Sequence, residues 1–127
     1  MLLLFAPLTL SLAAKPSCLV TDGLAKPAIQ LLTEGGIEVV ETHLSPEELT
    51  AGGLGAHDAV IIRSATTLDA GAIETGTMGG KLRVIGRAGV GVDNIDVVAA
   101  RRAGCCRFAA VHSVETKAHA TMSETRR

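Results

Sequence analysis

The sequence predicts an α/β fold, an open parallel sheet with flanking helices. From Ser17 onward, short runs rich in apolar and β-branched residues alternate with helix-like segments, which is typical of βαβ units. The run A-V-I-I-R is continuously apolar up to its last residue, as expected for a strand covered on both faces. The 127 residues, 47% of them hydrophobic, suffice for one compact domain but are few for a two-domain enzyme.

The first part of this pattern supplies two strands with a helix between them. The run S-C-L-V-T is the first strand, and Pro27 suits the first turn of a helix that continues through Ile29 and Leu32. Gly35 and Gly36 end this helix, and I-E-V-V-E-T follows as the second strand.

A capping motif, S-P-E-E, predicts where the next helix begins. Ser45 is placed as its N-cap, Pro46 occupies the first helical position, and Glu48 follows three residues after the cap. The helix is expected to be only about two turns long, because each glycine that follows costs about 1 kcal/mol relative to alanine.

The second half adds further strands and capped helices. After the A-V-I-I-R strand, Asp69 is expected to cap a glycine-rich helix. The run L-R-V-I-G-R is predicted as the fourth strand, and Asp96 as the N-cap of the next helix. The segment 105–111 is compatible with one more strand, although Arg107 lies inside it.

Polar residues stand where the third and fourth strands end. Arg63 and Ser64 follow the third strand, and Arg87 ends the fourth. Ligands of open α/β sheets bind beyond the carboxyl ends of the strands, so these side chains are placed to meet an anion. A solvated strand end without a ligand is the alternative.

The glycine-rich run R-A-G-V-G-V-D-N-I-D follows the fourth strand. It is not a dinucleotide fingerprint, because Gly89 and Gly91 are followed by Asn94 where the third glycine of G-x-G-x-x-G would stand. The backbone N–H groups of residues 89–92 can hold a carboxylate. A tight turn without a ligand is equally compatible with this sequence.

Composition narrows the class of partner. The formal charge of −1 leaves no electrostatic signature for nucleic acid or an anionic membrane, so a small-molecule partner is favoured. The three cysteines, Cys18, Cys105 and Cys106, cannot all pair within the chain and are interpreted as reduced thiols. Neither they nor the four histidines show the spacing of a metal site.

Residues 1–14 form an uncharged apolar stretch that ends in small residues, as before a signal-peptide cleavage site. A plastid-type leader or export is one interpretation, and an incorrectly assigned start of the gene is the other. The stretch is shorter than a membrane span, which needs about 20 residues.

Two motifs in a fixed order carry a family resemblance. I-I-R-S-A-T followed by V-I-G-R-A-G-V-G-V-D-N-I-D resembles the substrate domain of the D-isomer-specific 2-hydroxyacid dehydrogenases, especially their phosphoglycerate branch. The resemblance runs from about residue 15 to residue 104 and includes the L-S-P-E-E-L segment. It implies a flavodoxin-like domain within an NAD-dependent, homo-oligomeric enzyme of the cytoplasm or plastid.

The resemblance also implies a reaction and site residues. The reaction is oxidation of 3-phospho-D-glycerate, a small anionic 2-hydroxy acid, to 3-phosphohydroxypyruvate, which begins serine biosynthesis. Arg63 and Ser64 contact the substrate in this interpretation, and Arg87 binds its phosphate or carboxylate. The backbone of Ala88, Gly89 and Val90 holds the carboxylate, and Asp93 and Asn94 are expected to fix the loop through local bonds.

Residues 105–127 depart from the family pattern. No Rossmann fingerprint, catalytic arginine or Glu-His pair is present, so no catalytic, cofactor-binding or metal-binding residue is assigned. The substrate domain is expected to be incomplete and the isolated chain inactive as a dehydrogenase. A noncatalytic flavodoxin-like anion-binding module is the alternative. A phospho-receiver would need clustered acidic residues after the first strand, where Asp22 stands alone.

Overall fold

The computed structural model describes residues 15–105 and 108–110; the predictions for residues 1–14, for Cys106 and for the end of the tail lie outside these ranges. The strands are β1 (Ser17–Val20), β2 (Glu38–Glu41), β3 (Ala59–Ile62), β4 (Val84–Arg87) and β5 (Phe108–Ala110). The helices are α1 (Lys26–Glu34), α2 (Pro46–Thr50), α3 (Ala70–Met78) and α4 (Val97–Arg102), with a 3-10 helix at Gly53–Ala56.

The strands form one parallel sheet in the order β2-β1-β3-β4-β5. This is the flavodoxin-like order, in which the chain turns from one side of β1 to the other between β2 and β3. The predicted fold class is confirmed. The carboxyl ends of β1 and β3 flank the topological switch point, where ligands of such sheets bind.

The buried side chains of β3 show why the sheet needs helices on both faces. Val60 and Ile62 belong to the larger hydrophobic cluster and Ile61 to the smaller one. Successive side chains of a strand point to opposite faces, and all three are at most 8% exposed. The expectation of a strand covered on both faces is confirmed.

The capping box that begins α2 is present. The hydroxyl of Ser45 accepts from the N–H of Glu48 at 3.2 Å, and the Glu48 carboxylate accepts from the N–H of Ser45 at 2.7 Å. The helix has only five residues before Gly52, at φ 95°, redirects the chain into the 3-10 helix. A short helix limited by glycines is therefore confirmed.

The other two predicted caps also form. The Asp69 carboxylate accepts from the N–H of Ala72 at 2.8 Å and begins α3. The Asp96 carboxylate accepts from the N–H of Ala99 at 2.9 Å and begins α4. These caps fix the points at which the chain leaves the sheet edge, because each follows a loop at the carboxyl ends of β3 or β4.

The Cys18 thiol is expected to resist alkylation in the folded chain. It is 2% exposed within β1, and burial raises its pKa to about 11, so the thiol remains protonated near neutral pH. Treatment with iodoacetamide at neutral pH, followed by peptide mapping, should leave Cys18 unmodified until denaturant is added. Modification of Cys18 in native buffer at the rate of an exposed thiol would contradict this packing.

The described ranges contain neither a candidate membrane span nor a candidate metal site. None of their helices is long and apolar enough to cross a membrane. Within the same ranges, no group of three or more His, Cys, Asp or Glu side chains is placed to hold a metal ion.

Candidate functional site

Two loops meet at the carboxyl edge of the sheet, and they are the ones that carry the sequence motifs. The 63–66 turn follows β3, and the 87–94 loop begins at the last residue of β4. β3 and β4 are adjacent, with Ile62 paired to Arg87. The sheet register therefore brings Arg63, Ser64 and the glycine-rich backbone to one place, as the sequence predicts.

Backbone hydrogen bonds join the two segments. The N–H of Ala88 donates to the Ile62 carbonyl at 2.8 Å, which continues the β3–β4 ladder beyond the strands. Leu68 donates to the carbonyl of Asn94 at 2.8 Å and accepts from the N–H of Asp96 at 2.9 Å. These contacts hold both loops against the same edge. Because the Ala88 N–H is used in this way, it is not directed toward a ligand.

Asn94 ties the 63–66 turn to the 87–94 loop through its side chain. Its amide nitrogen donates to the carbonyl of Arg63 and to the carbonyl of Thr66, each at 2.6 Å. These partners are 31 and 28 residues away in sequence. The prediction that Asn94 acts through local bonds is wrong, because its donors face another loop.

Asp22, at the carboxyl end of β1, contacts the same turn from the other side. Its carboxylate accepts from the N–H of Arg63 at 2.8 Å, from the N–H of Thr66 at 3.1 Å and from the Thr66 hydroxyl at 2.5 Å. Burial alone raises the pKa of Asp22, but these hydrogen bonds favour the charged form and hold the pKa below its ordinary value. In the sequence, only its place directly after a buried strand pointed to it.

Arg63 and Ser64 have exposed side chains above a fixed backbone. Among the hydrogen bonds and ion pairs within residues 15–105, none involves the guanidinium of Arg63 or the hydroxyl of Ser64. An arginine whose backbone is fixed and whose guanidinium has no partner can donate hydrogen bonds to two oxygens of a carboxylate or phosphate. Both predicted residues are thus available at the switch point.

Arg87 is placed differently, because its side chain curls back over its own loop. Its Nη1 donates to the carbonyl of Val90 and, at 2.7 Å, to that of Gly91, while its Nε is buried without a partner in this part of the chain. The guanidinium also covers Gly89, where an added Cβ would lie 3.2 Å from Nη1. In this conformation Arg87 shapes the loop, and Arg63 is the arginine that projects from the edge.

The loop backbone offers donors for an anion. Gly89 and Gly91 have φ of 147° and 78°, values that residues with side chains rarely adopt. Within the described ranges, the N–H groups of residues 89–92 donate no hydrogen bond. Positive charge from Arg87 beneath the loop favours an anion at these donors.

The same loop does not fit a dinucleotide. Close packing of helix and strand over a pyrophosphate needs a third glycine, and that position holds Asn94. The Asn94 side chain is committed to Arg63 and Thr66, and the six-residue α4 begins only at Val97. The 87–94 loop therefore lacks the features of a dinucleotide-binding loop, while its unused N–H groups can donate to a smaller anion.

The family described as "D-isomer specific 2-hydroxyacid dehydrogenase, catalytic domain" matches residues 18–122, which is most of the chain. The match extends past Gly104, where the motif resemblance ends.

Curated relatives cover most of this chain. D-3-phosphoglycerate dehydrogenase 2, chloroplastic, from Arabidopsis thaliana is 42% identical over 91 residues, which are 72% of this chain and 14% of that protein. D-3-phosphoglycerate dehydrogenase from Methanocaldococcus jannaschii is 49% identical over 86 residues, 68% of this chain and 16% of the relative. The chain thus spans a small part of the length of these proteins.

Solved structures share the fold. NAD+-bound 3-phosphoglycerate dehydrogenase from Entamoeba histolytica superposes with a TM-score of 0.57 and 28% identity, over 72% of this chain and 31% of that one. Apo D-lactate dehydrogenase from Escherichia coli gives a TM-score of 0.59 at 19% identity, over 75% of this chain and 30% of the other, and supports the fold alone. With the family match over residues 18–122, this chain belongs to the D-isomer-specific 2-hydroxyacid dehydrogenase family.

Proposed function

We propose that this chain supplies the substrate-binding edge of a D-2-hydroxyacid dehydrogenase that acts on 3-phospho-D-glycerate. The observation that carries the proposal is the meeting of the 63–66 turn and the 87–94 loop at the carboxyl edge of the sheet, beside the switch point, with the Arg63 guanidinium and the loop N–H groups unused. The names of the A. thaliana and M. jannaschii relatives support the choice of acid.

Each group at this edge has a chemical task in the proposal. The N–H groups of Gly89 and Val90 donate to the carboxylate of the acid, and Arg87 holds their loop in shape. The Arg63 guanidinium donates to two oxygens of an anionic group of the substrate, and the Ser64 hydroxyl donates to a substrate oxygen. Together these contacts orient the 2-hydroxyl and its carbon.

The reaction oxidises the 2-hydroxyl to a ketone by removing a hydride from carbon and a proton from oxygen. NAD is the proposed hydride acceptor, supported by family membership and by the NAD+-bound E. histolytica structure. The residues of this chain described above bind and orient the acid. They take no part in holding NAD, because Asn94 occupies the position that a dinucleotide loop needs for glycine.

Location and assembly are part of the proposal. Two A. thaliana relatives are named chloroplastic, which supports a plastid location for a chain of this kind. Detection of the protein in the cytosolic fraction alone, after separation from plastids, would contradict this location. Assembly into a homo-oligomer remains a prediction, which light scattering of the purified protein can check.

Replacing Arg63 by alanine is expected to weaken binding of 3-phosphoglycerate to the chain. Removal of a charge-assisted hydrogen-bond pair costs roughly 1.5–3 kcal/mol, which is about a 10- to 100-fold loss of affinity. Isothermal titration calorimetry of the wild-type chain and of Arg63→Ala measures this loss directly.

Arg83 provides a matched control for that substitution. It is also an exposed arginine, but it lies before β4 and its Nη2 is 3.4 Å from Asp58, at the opposite end of the sheet. Arg83→Ala is expected to leave the affinity unchanged. Equal affinities of wild type and Arg63→Ala, or equal losses in both variants, would refute the assigned site.

A further inference from the structure

The carboxylate of Asp22 is buried at the edge where an anion is expected to bind. Its side chain is only 4% exposed, although aspartate is rarely buried unless it is paired or hydrogen-bonded. No lysine or arginine pairs with it in the described ranges; His43 lies 3.6 Å away and is largely exposed. Its partners are instead hydrogen-bond donors of the 63–66 turn.

Asp22 and Asn94 hold the same two residues in complementary ways. Asp22 accepts the N–H groups of Arg63 and Thr66, and Asn94 donates to the carbonyls of Arg63 and Thr66. The N–H and the carbonyl of Arg63, and those of Thr66, are therefore all hydrogen-bonded. The side chains of residues 63 and 64 remain exposed beside these backbone anchors.

The hydroxyl of Thr66 completes the arrangement. It lies 2.5 Å from Asp22 Oδ1 and 3.0 Å from the hydroxyl of Thr21, and both threonines are at most 5% exposed. This buried polar network joins the end of β1 to the turn after β3 across the switch point. A network with satisfied partners at such a place gives a rigid support for the residues above it.

We propose that Asp22 is a positioning residue for Arg63. Asp22 holds the 63–66 turn so that the guanidinium of Arg63 meets the anionic substrate. The role rests on the proposed function, because it concerns the same acid-binding edge. Asp22 acts through backbone N–H groups and does not itself touch the substrate. Its charge is compensated by the donors of the turn, which reduces its repulsion of an anion.

A double-mutant cycle tests the proposal on the 127-residue chain. Asp22→Ala is expected to weaken 3-phosphoglycerate binding roughly ten-fold, because the turn loses both N–H anchors. In the Arg63→Ala background the same change should weaken binding by less than about two-fold, since the side chain that it positions is absent. Asp22→Asn, which keeps one carbonyl oxygen and the same size, should recover part of the lost affinity.

Asp58 is the matched control for this cycle. Its carboxylate accepts from the N–H of Ser17 at 2.9 Å, so it also anchors a backbone N–H, but before β3 at the far end of the sheet. Asp58→Ala should lower stability without lowering affinity. Equal affinity losses in Asp22→Ala and Asp58→Ala, or independent effects of Asp22→Ala and Arg63→Ala, would overturn the positioning role.

A separate measurement distinguishes this inference from the proposed function. If the wild-type chain does not bind 3-phosphoglycerate, the proposed function fails, and NMR exchange rates of the Arg63 and Thr66 amide protons decide the role of Asp22. Both protons should exchange faster in Asp22→Asn than in wild type, while the Ser17 amide should not change. Unaltered exchange at Arg63 and Thr66 would overturn the inference even in a fully folded variant.

Discussion

Gly80→Ala is expected to destabilise the chain by about 3 kcal/mol or more. A Cβ at Gly80 would lie 2.2 Å from Gly55 Cα, 2.7 Å from the Gly76 carbonyl oxygen and 2.8 Å from the Gly55 carbonyl oxygen. All three are backbone atoms, so no side chain can rotate away to make room. The 3-10 helix and the end of α3 would have to separate, which would disturb the larger hydrophobic cluster.

The measurement is urea or thermal unfolding of the purified chain, and the midpoint temperature is expected to fall by roughly 10 °C or more. Gly79→Ala is the control, because Gly79 has φ of −100° and a Cβ there would meet only the Thr75 carbonyl oxygen, at 3.5 Å. This neighbour should change stability by less than about 0.5 kcal/mol. Equal stabilities of the two variants would show that the close approach of Gly80 and Gly55 is absent in solution.

Local signals explain which parts of the fold could be predicted from sequence. The caps at Ser45, Asp69 and Asp96 connect residues three positions apart, so each motif contains both of its partners. The continuous apolar run of β3 likewise predicts, without reference to distant residues, that both faces of the strand are buried. The common edge of the two motif loops then follows from general rules for parallel sheets, while the flavodoxin-like strand order is implied by the family resemblance.

The supports of the site could not be predicted in the same way, because their partners are distant in sequence. Asp22 contacts residues 41 and 44 positions away, and Asn94 contacts residues 31 and 28 positions away. Arg87 shows the converse case: its position at a strand end suggested a ligand, but carbonyls three and four residues later bind its guanidinium. The sequence shows where on the sheet a side chain is attached. Which acceptors its donors bind depends on the folded backbone around it.

Asn94 is expected to be the most sensitive polar residue of the site, because both of its contacts require a donor. Its Nδ2 lies 2.6 Å from two carbonyl oxygens, those of Arg63 and Thr66, and a carbonyl oxygen can only accept. Asn94→Ala removes both bonds and should cost about 2 kcal/mol of stability. Asn94→Asp should cost more at neutral pH, roughly 3 kcal/mol or more, because a carboxylate would face two carbonyl oxygens instead of donating to them.

The stability of Asn94→Asp is expected to depend on pH. Carbonyl neighbours disfavour the charged carboxylate, so the pKa of the introduced group should be raised in the folded chain above its unfolded value of about 3.9. Its protonated form can donate one of the lost bonds. The stability deficit relative to wild type should therefore be smallest below the unfolded pKa and should grow as the pH rises through the folded pKa.

Asp93→Ala is the control for both Asn94 variants, since Asp93 is the exposed neighbour in the same loop and its carboxylate makes no hydrogen bond or ion pair within the described ranges. It should change stability by less than about 0.5 kcal/mol. A deficit of Asn94→Asp that is independent of pH, or no larger than that of Asp93→Ala, would show that the amide does not join the two loops. The expected pattern would instead establish that one side-chain amide couples the 63–66 turn to the 87–94 loop, so that the two halves of the proposed anion site form or separate together.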